Sequence, residues 1–140
     1  MKKIIIILLF LFIIIFLYIG PFKNLVGFFS SKDAAKAVDS IERISEAVET
    51  YIIDWGFSPN VNNIKALSSI ILKAYDKNIP IKDPWGNTII YKNIGKDDYK
   101  ITIIGKDKKP FTVDDLTYEK GKFKYDPKNN RYKSIINKDM

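Results

Sequence analysis

The feature that most constrains this chain is a run of sixteen consecutive apolar or aromatic residues, from Ile4 to Ile19. As a helix the run would be about 24 Å long, and the flanking lysines extend what it can span in a bilayer whose hydrocarbon core is about 30 Å thick. A helix that is apolar on every side cannot be covered by so short a chain. A cleaved signal peptide would end in small residues, whereas Gly20-Pro21-Phe22-Lys23 follows here. The pattern therefore predicts an uncleaved transmembrane anchor over residues 1–22.

Positive charges on the two sides of the predicted anchor indicate its orientation. Lys2, Lys3 and the terminal amine precede the run, and Lys23 and Lys32 follow it. This small excess favours a cytoplasmic N-terminus, with the rest of the chain outside the cytoplasm. Residues 23–32 are then expected to form a juxtamembrane connector.

The composition excludes several classes of catalytic site. The chain has no histidine and no cysteine, which removes Ser-His and Cys-His pairs, disulfides and the common zinc ligands. Catalysis by paired carboxylates needs a substrate cleft, which no pattern here predicts. The net charge of +7 comes from lysines interspersed with acidic residues, which is typical of a solvated surface rather than a nucleic-acid face. We therefore expect a non-enzymatic protein whose main partner is not nucleic acid.

Two helices are predicted after the connector. Apolar residues recur at helical spacing from Ala34 to about Ile53, with Ser31 or Asp33 as the N-cap and Gly56 as a left-handed C-cap. The expected buried face consists of Val38, Ile41, Ile44 or Ser45, Val48, Tyr51 and Ile52. A shorter helix from about Asn63 to Tyr75 would bury Ile64, Leu67, Ile71 and Tyr75.

Beyond Asn87 the pattern changes to that of strands. Thr88–Ile94 is rich in β-branched residues, Tyr99–Ile104 alternates, and the residues between them indicate a hairpin turn. Residues 105–115 are expected to form a polar loop. Residues 120–140 are expected to be a C-terminal extension, in which Phe123–Tyr125 forms a hairpin with Arg131–Ile136. The predicted fold class is α+β: an N-terminal transmembrane helix, then a long helix and a short helix packed on a small antiparallel sheet.

Three local motifs occur in a fixed order: a helix-end motif over Asp54–Pro59, a turn motif over Asp83–Asn87 and a loop motif over Gly105–Asp115. The turn motif consists of Asp83, Pro84, Trp85, Gly86 and Asn87. In it the proline fixes a turn, the tryptophan offers a large buried anchor and the glycine permits a positive φ. The aspartate can accept hydrogen bonds from nearby backbone amides. We interpret the turn motif as a folding device.

Together the three motifs resemble the G-type major pseudopilins of bacterial type II secretion, which belong to the type IV pilin-like superfamily. That family shows a D-x-G-x-x-P-like stretch, then D-P-W-G-N, then a G-x-D-G-x-x-G-x-x-D-D-like loop. The resemblance covers about residues 34–119 and implies a pseudopilin-like globular domain over residues 33–119. Lys108 and Phe111 stand where the family usually has glycine.

Asp107, Asp114 and Asp115 of the loop motif are candidate metal ligands. They are hard oxygen donors, and three carboxylates so close together would repel one another without a cation. The resemblance implies the same, because such pseudopilins hold calcium in this loop and these three positions match. The alternative is that they are ordinary turn-forming aspartates whose lysine neighbours partly replace the ion.

The N-terminus departs from the family pattern. The family begins with a short basic leader, a Gly-Phe junction that a prepilin peptidase recognises, and an apolar helix with a glutamate at its fifth mature position. Here Met1-Lys2-Lys3 runs directly into isoleucines, and no acidic residue occurs before Asp33. This departure puts polymerisation by the usual route in doubt.

The expected function is a structural pseudopilin-like subunit of a type II secretion apparatus, anchored once in the inner (cytoplasmic) membrane and stabilised outside it by calcium. Its expected partners are the membrane, other pseudopilins or secretion-apparatus proteins, and copies of itself. The alternatives are a membrane-tethered adaptor with a pilin-like fold that does not polymerise, and a DNA-uptake minor pilin that binds nucleic acid.

Overall fold

A computed structural model describes residues 22–125 and residue 136 of the 140-residue chain, with side chains described from residue 32 onward. The chain divides into two compact units, Met1–Lys32 and Asp33–Met140. The predicted anchor lies outside the described residues, except for the backbone at Phe22. Within residues 22–125, no helix has both the length and the apolar character that crossing a membrane requires.

Helix α1 spans Phe22–Trp55 and confirms the long helix predicted from apolar spacing. It includes Ser31 and Asp33, so the expectation that one of them caps its N-terminus was wrong. The error arises because the amphipathic pattern starts only at Ala34, whereas the helical backbone starts earlier. The C-terminus is as predicted: Gly56 has a φ of +75°, and its N–H donates to the carbonyl oxygen of Ile52 at 2.8 Å. The side chains that α1 buries are Ala34, Ala37, Val38, Ile41, Ile44, Ser45, Ala47 and Val48. Tyr51 and Ile52, predicted on the same face, pack against the core but are only partly buried.

Helix α2 spans Ile64–Tyr75 and confirms the predicted short helix. Asn63 is its N-cap, because the Asn63 side chain accepts a hydrogen bond from the backbone N–H of Ala66 at 2.8 Å. The helix ends at Asp76, which takes a left-handed conformation and donates its N–H to the carbonyl oxygen of Leu72. Its buried side chains are Ile64, Leu67 and Ile71, as the spacing predicted, whereas Tyr75 is only partly buried, because its hydroxyl donates to Asp54 in an exposed hydrogen bond.

Four antiparallel strands form one sheet in the order β1-β2-β3-β4. Their bounds are Ile90–Asn93 for β1, Tyr99–Ile103 for β2, Leu116–Glu119 for β3 and Lys122–Tyr125 for β4. The β1–β2 pairing confirms the predicted first hairpin, with Tyr91 opposite Ile101. Thr88 lies just before β1 and forms an isolated bridge with Lys82.

The second hairpin differs from the prediction. Phe123–Tyr125 is in a strand as expected, but this strand pairs with Leu116–Glu119, with Tyr118 opposite Phe123. Lys120 and Gly121 both have positive φ, of 54° and 73°, which gives the tight two-residue turn that joins adjacent strands. The sheet therefore continues into the region predicted as a C-terminal extension. Of the expected partner, Arg131–Ile136, residues 131–135 lie outside the described residues, and Ile136 packs partly buried against the core.

Both helices contribute to one hydrophobic core with the sheet, which makes the architecture α+β as predicted. From the sheet side the core receives Ile89, Tyr91, Tyr99, Ile101, Ile103 and Leu116. Tyr91 is fully buried, and its hydroxyl donates to the carbonyl oxygen of Pro59 at 3.2 Å. This bond ties the helix-end motif to the first strand, because a buried hydroxyl needs a partner.

Candidate functional site

The helix-end motif fastens the end of α1 to the β1–β2 hairpin. The Ser58 hydroxyl lies 3.1 Å from the carbonyl oxygen of Gly95 and 3.3 Å from that of Asp98, and it can donate to either. The Asn93 side-chain amide donates to Ser58 Oγ at 2.7 Å. Ser58 is buried, with 1% of its surface exposed. These bonds fix the first hairpin relative to the helix and so fix the sheet that carries the loop motif.

The turn motif is organised by Asp83, as the sequence predicted. Asp83 Oδ1 accepts hydrogen bonds from the backbone N–H of Trp85 at 3.0 Å and of Asn87 at 2.8 Å. Gly86 has a φ of +84°, and its N–H donates to the carbonyl oxygen of Asp83 at 3.0 Å. Asp83 is itself buried, with 6% of its surface exposed. Trp85 differs from the prediction: it packs against the core but stays partly exposed, because the turn holds it at the edge of the core.

The Asn87 side chain joins the turn motif to the loop motif. Its Nδ2 donates to Asp83 Oδ2 at 3.0 Å and to the carbonyl oxygen of Gly105 at 2.7 Å. Sequence analysis missed this link, because eighteen residues and a hairpin separate Asn87 from Gly105. The signal available in the sequence was the fixed order of the two motifs on either side of one predicted hairpin. The turn motif thus has a second role beyond its own folding, which is to hold the start of the loop.

The buried carboxylate of Asp114 holds the backbone at the start of the loop motif. Its Oδ2 accepts hydrogen bonds from the backbone N–H groups of Lys106 and Asp107, and the residue is buried, with 9% of its surface exposed. Gly105 has a φ of +71°, and a Cβ there would lie 2.6 Å from Asp114 Cγ. Only glycine fits this position, because a side chain would displace the carboxylate that orders the loop.

Asp107 and Asp115 lie nearer the surface of the same loop. Asp107 is exposed, and its Oδ1 accepts from the Lys109 N–H at 2.9 Å. Asp115 is half-buried, and its Oδ2 accepts from the Phe111 N–H at 2.6 Å. Burial raises the pKa of Asp115, and the negative charge of Asp107 adds to this rise, although hydrogen bonds from Phe111 and Thr112 oppose it. The two carboxylates therefore interact electrostatically.

The loop does not bring its three acids to a single point. Asp114 accepts hydrogen bonds from backbone amides, whereas the negative charges of Asp107 and Asp115 repel each other. Among the side chains that the structure describes, no group of three histidine, cysteine, aspartate or glutamate residues is arranged to hold a metal ion.

The loop backbone has the shape of a glycine-rich loop although the sequence lacks two of the glycines. Lys108 has a φ of 60° and Phe111 a φ of 66°, and both stand where the G-type pseudopilins usually have glycine. Non-glycine residues rarely adopt this conformation. The loop therefore has positive φ at the two positions where the family usually has glycine, although neither residue here is glycine.

A family model described as type II secretion system (T2SS), protein G matches residues 24–119. The chain belongs to this family. The T2SS protein G match contains all three motifs and ends at Glu119, the last residue of β3, so β4 lies beyond it. Neither a curated protein nor a solved structure matches the chain significantly.

Membership in the T2SS protein G family makes this chain a pseudopilin-type component of a secretion apparatus. The family is structural rather than enzymatic, and it indicates a membrane-associated component that works with other parts of the apparatus.

Proposed function

We propose that this chain is a membrane-anchored structural subunit of a type II secretion apparatus. The predicted helix over residues 1–22 would hold the Asp33–Met140 unit outside the cytoplasm, where it would contribute to a short fibre with other pseudopilins. The observation that supports this best is the family match over residues 24–119. The apolar run Ile4–Ile19, which precedes the match, supports the anchor.

Two measurements on the full-length chain test this function. Expressed in a bacterium that carries the apparatus, the chain should sediment with membranes and remain there after an alkaline wash, because a helix that spans the bilayer is not released by high pH. An amine-reactive crosslinker should give a ladder of multimers. Recovery of the chain in the soluble fraction without detergent would contradict the anchor, and a single monomer band would contradict the fibre.

A second candidate is a membrane-tethered adaptor that keeps the fold without assembling. The absence of an acidic residue before Asp33 favours it, since the family carries a glutamate in its first helix that is thought to set the register of subunits in the fibre. The same crosslinking experiment separates the two candidates, because the adaptor would give a discrete product with one partner and no ladder.

We further propose that the loop motif binds calcium. The donors fit, because Ca²⁺ takes six to eight oxygen ligands and the loop offers carboxylates and backbone carbonyls. Asp107 and Asp115 are the side chains we expect to hold the ion, since a cation bound by both would relieve the repulsion that contributes to the raised pKa of Asp115. Asp114 would act differently, by holding the loop backbone through the amides of Lys106 and Asp107.

A thermal melt of the full-length chain in detergent, with calcium or with a chelator, tests this site. Calcium should raise the Tm of the unaltered chain and should raise it little in Asp107→Asn or Asp115→Asn, because each variant loses one ligand. Asp97→Asn, in the exposed β1–β2 turn, is the matched control and should respond like the unaltered chain. An unaltered chain whose Tm is the same with calcium and with chelator would exclude the ion.

A further inference from the structure

We infer that copies of this chain associate head to tail, with the tip of the loop motif of one copy seated in an acidic groove of the next. The inference rests on the proposed function and names the contact by which subunits outside the membrane would meet. The loop tip comprises Lys106, Lys108, Lys109, Phe111 and Val113. The acidic groove is defined by Glu49, Ile52, Ile53, Asp97 and Asp98.

The loop tip is built in a way that folding does not explain. Phe111 is 91% exposed and Val113 is 55% exposed, and three exposed lysines surround them. Phe111 also has a φ of 66°, which is unfavourable for a bulky side chain. A strained, solvated aromatic residue contributes little to the core, so a contact with another molecule is the simplest use for it.

The acidic groove lies between the end of α1 and the two hairpin turns, and its volume is about 570 Å³. Ile53 lines it and is 82% exposed, so the groove offers an apolar surface to a partner. Glu49 is held in place because the hydroxyls of Tyr99 and Tyr118 each donate to its Oε1 at 3.1 Å. Asp97 and Asp98 add negative charge, and Lys120 is the cation in the lining.

Phe111 of the tip and the groove lie on opposite faces of the sheet. The groove is beside the turns next to the Lys100–Glu119 pair, whereas the loop leaves the sheet beyond the Ile103–Leu116 pair. Phe111 lines a pocket with Ile90, Lys92 and Thr102, which alternate along their strands with core-facing residues, whereas the groove is lined on the helix side of the sheet by α1 residues. A chain therefore presents the tip on one face of the sheet and the groove on the other. Contacts of this heterologous kind repeat from copy to copy, and they produce a filament when the rotation between copies does not close a ring.

The charges of the two surfaces indicate that a second copy of this chain occupies the acidic groove. The tip region carries three lysines against the exposed Asp107, whereas the groove carries three carboxylates against Lys120, so a net positive surface with an exposed aromatic complements a net negative one with an exposed isoleucine. Tip-to-tip pairing would place lysines against lysines, and groove-to-groove pairing would place carboxylates against carboxylates. Both symmetric pairings are therefore disfavoured, and the head-to-tail arrangement remains.

Cysteine crosslinking of the full-length chain in membranes tests this contact, because the chain has no native cysteine. Ile53→Cys combined with Phe111→Cys should give a disulfide ladder under mild oxidation. A mixture of the two single variants should give a dimer only, because each copy then has one reactive surface. Leu72→Cys combined with Phe111→Cys is the matched control, since Leu72 is 42% exposed but lies on α2, away from the groove.

Charge reversal provides a second readout on the same crosslink. Asp97→Lys or Lys109→Glu alone should weaken the ladder at least fivefold, and the two together should restore most of it. A ladder of equal strength from the Leu72→Cys control, or a dimer from Phe111→Cys alone, would overturn the contact. If an amine-reactive reagent gives ladders in the same membranes but the cysteine pair does not, this contact is wrong and the proposed function stands. If neither reagent gives a ladder, both fail.

Discussion

Asp114 and Asp107 lie seven residues apart in one loop, yet their carboxylates act on different parts of it. Asp114 is buried and accepts two backbone amides, so Asp114→Ala should lower the free energy of unfolding by about 2–3 kcal/mol. Chemical denaturation of the full-length chain in detergent, followed by tryptophan fluorescence, measures this loss. Asp97→Ala in the exposed turn should change it by less than about 0.5 kcal/mol. Equal losses in both variants would show that Asp114 does not hold the loop.

A substitution at Lys108 tests whether the loop backbone has positive φ at this residue. Its φ of 60° costs a non-glycine residue about 1–2 kcal/mol, whereas the added freedom of glycine in the unfolded chain costs about 0.5–1 kcal/mol. Lys108→Gly should therefore raise the free energy of unfolding by about 0.5–1 kcal/mol in the same denaturation experiment. Lys106→Gly should lower it, because Lys106 is not among the residues with positive φ and gains nothing from glycine. Destabilisation by Lys108→Gly would mean that the loop takes another path.

At the level of elements, local pattern predicts the helices better than the sheet. The buried faces of α1 and α2 repeat at helical spacing, so Ile41, Val48 and Leu67 could be placed in the core from the sequence alone. Strand β3 could not be identified from the sequence, because Leu116–Glu119 is only four residues long. The turn that follows it also uses Lys120, and lysine is unusual at positive φ. The hydrogen bond between Asn87 and Gly105 could not be predicted either, since only the tertiary fold brings these residues together.

The β3–β4 hairpin yields a prediction about an element beyond the family match. Gly121 has a φ of 73° and open space where a Cβ would lie, so Gly121→Ala strains the backbone without a clash. It should lower the free energy of unfolding by about 1 kcal/mol. Lys120→Asn should have the opposite effect, since Asn-Gly is favoured in such two-residue turns. Denaturation curves that show no change for either variant would argue that β4 does not pair with β3.

At the scale of the whole molecule, the division at Lys32 and Asp33 predicts that anchoring and folding can be separated. Among the side chains that the structure describes, every buried core residue of the sheet and helices comes from Ala34 onward, so the outer unit should fold without help from the anchor. Arginine at the centre of a spanning helix costs about 2.5–3.5 kcal/mol each for insertion. Leu9→Arg with Ile13→Arg should therefore release the chain from membranes and leave the melting transition of the Asp33–Met140 unit unchanged. Leu9→Ile with Ile13→Leu controls for sequence change in the same segment and should stay in the membrane. If the arginine variant also lost its transition, the outer unit would depend on the bilayer, and a fibre built from independently folded subunits would need another explanation.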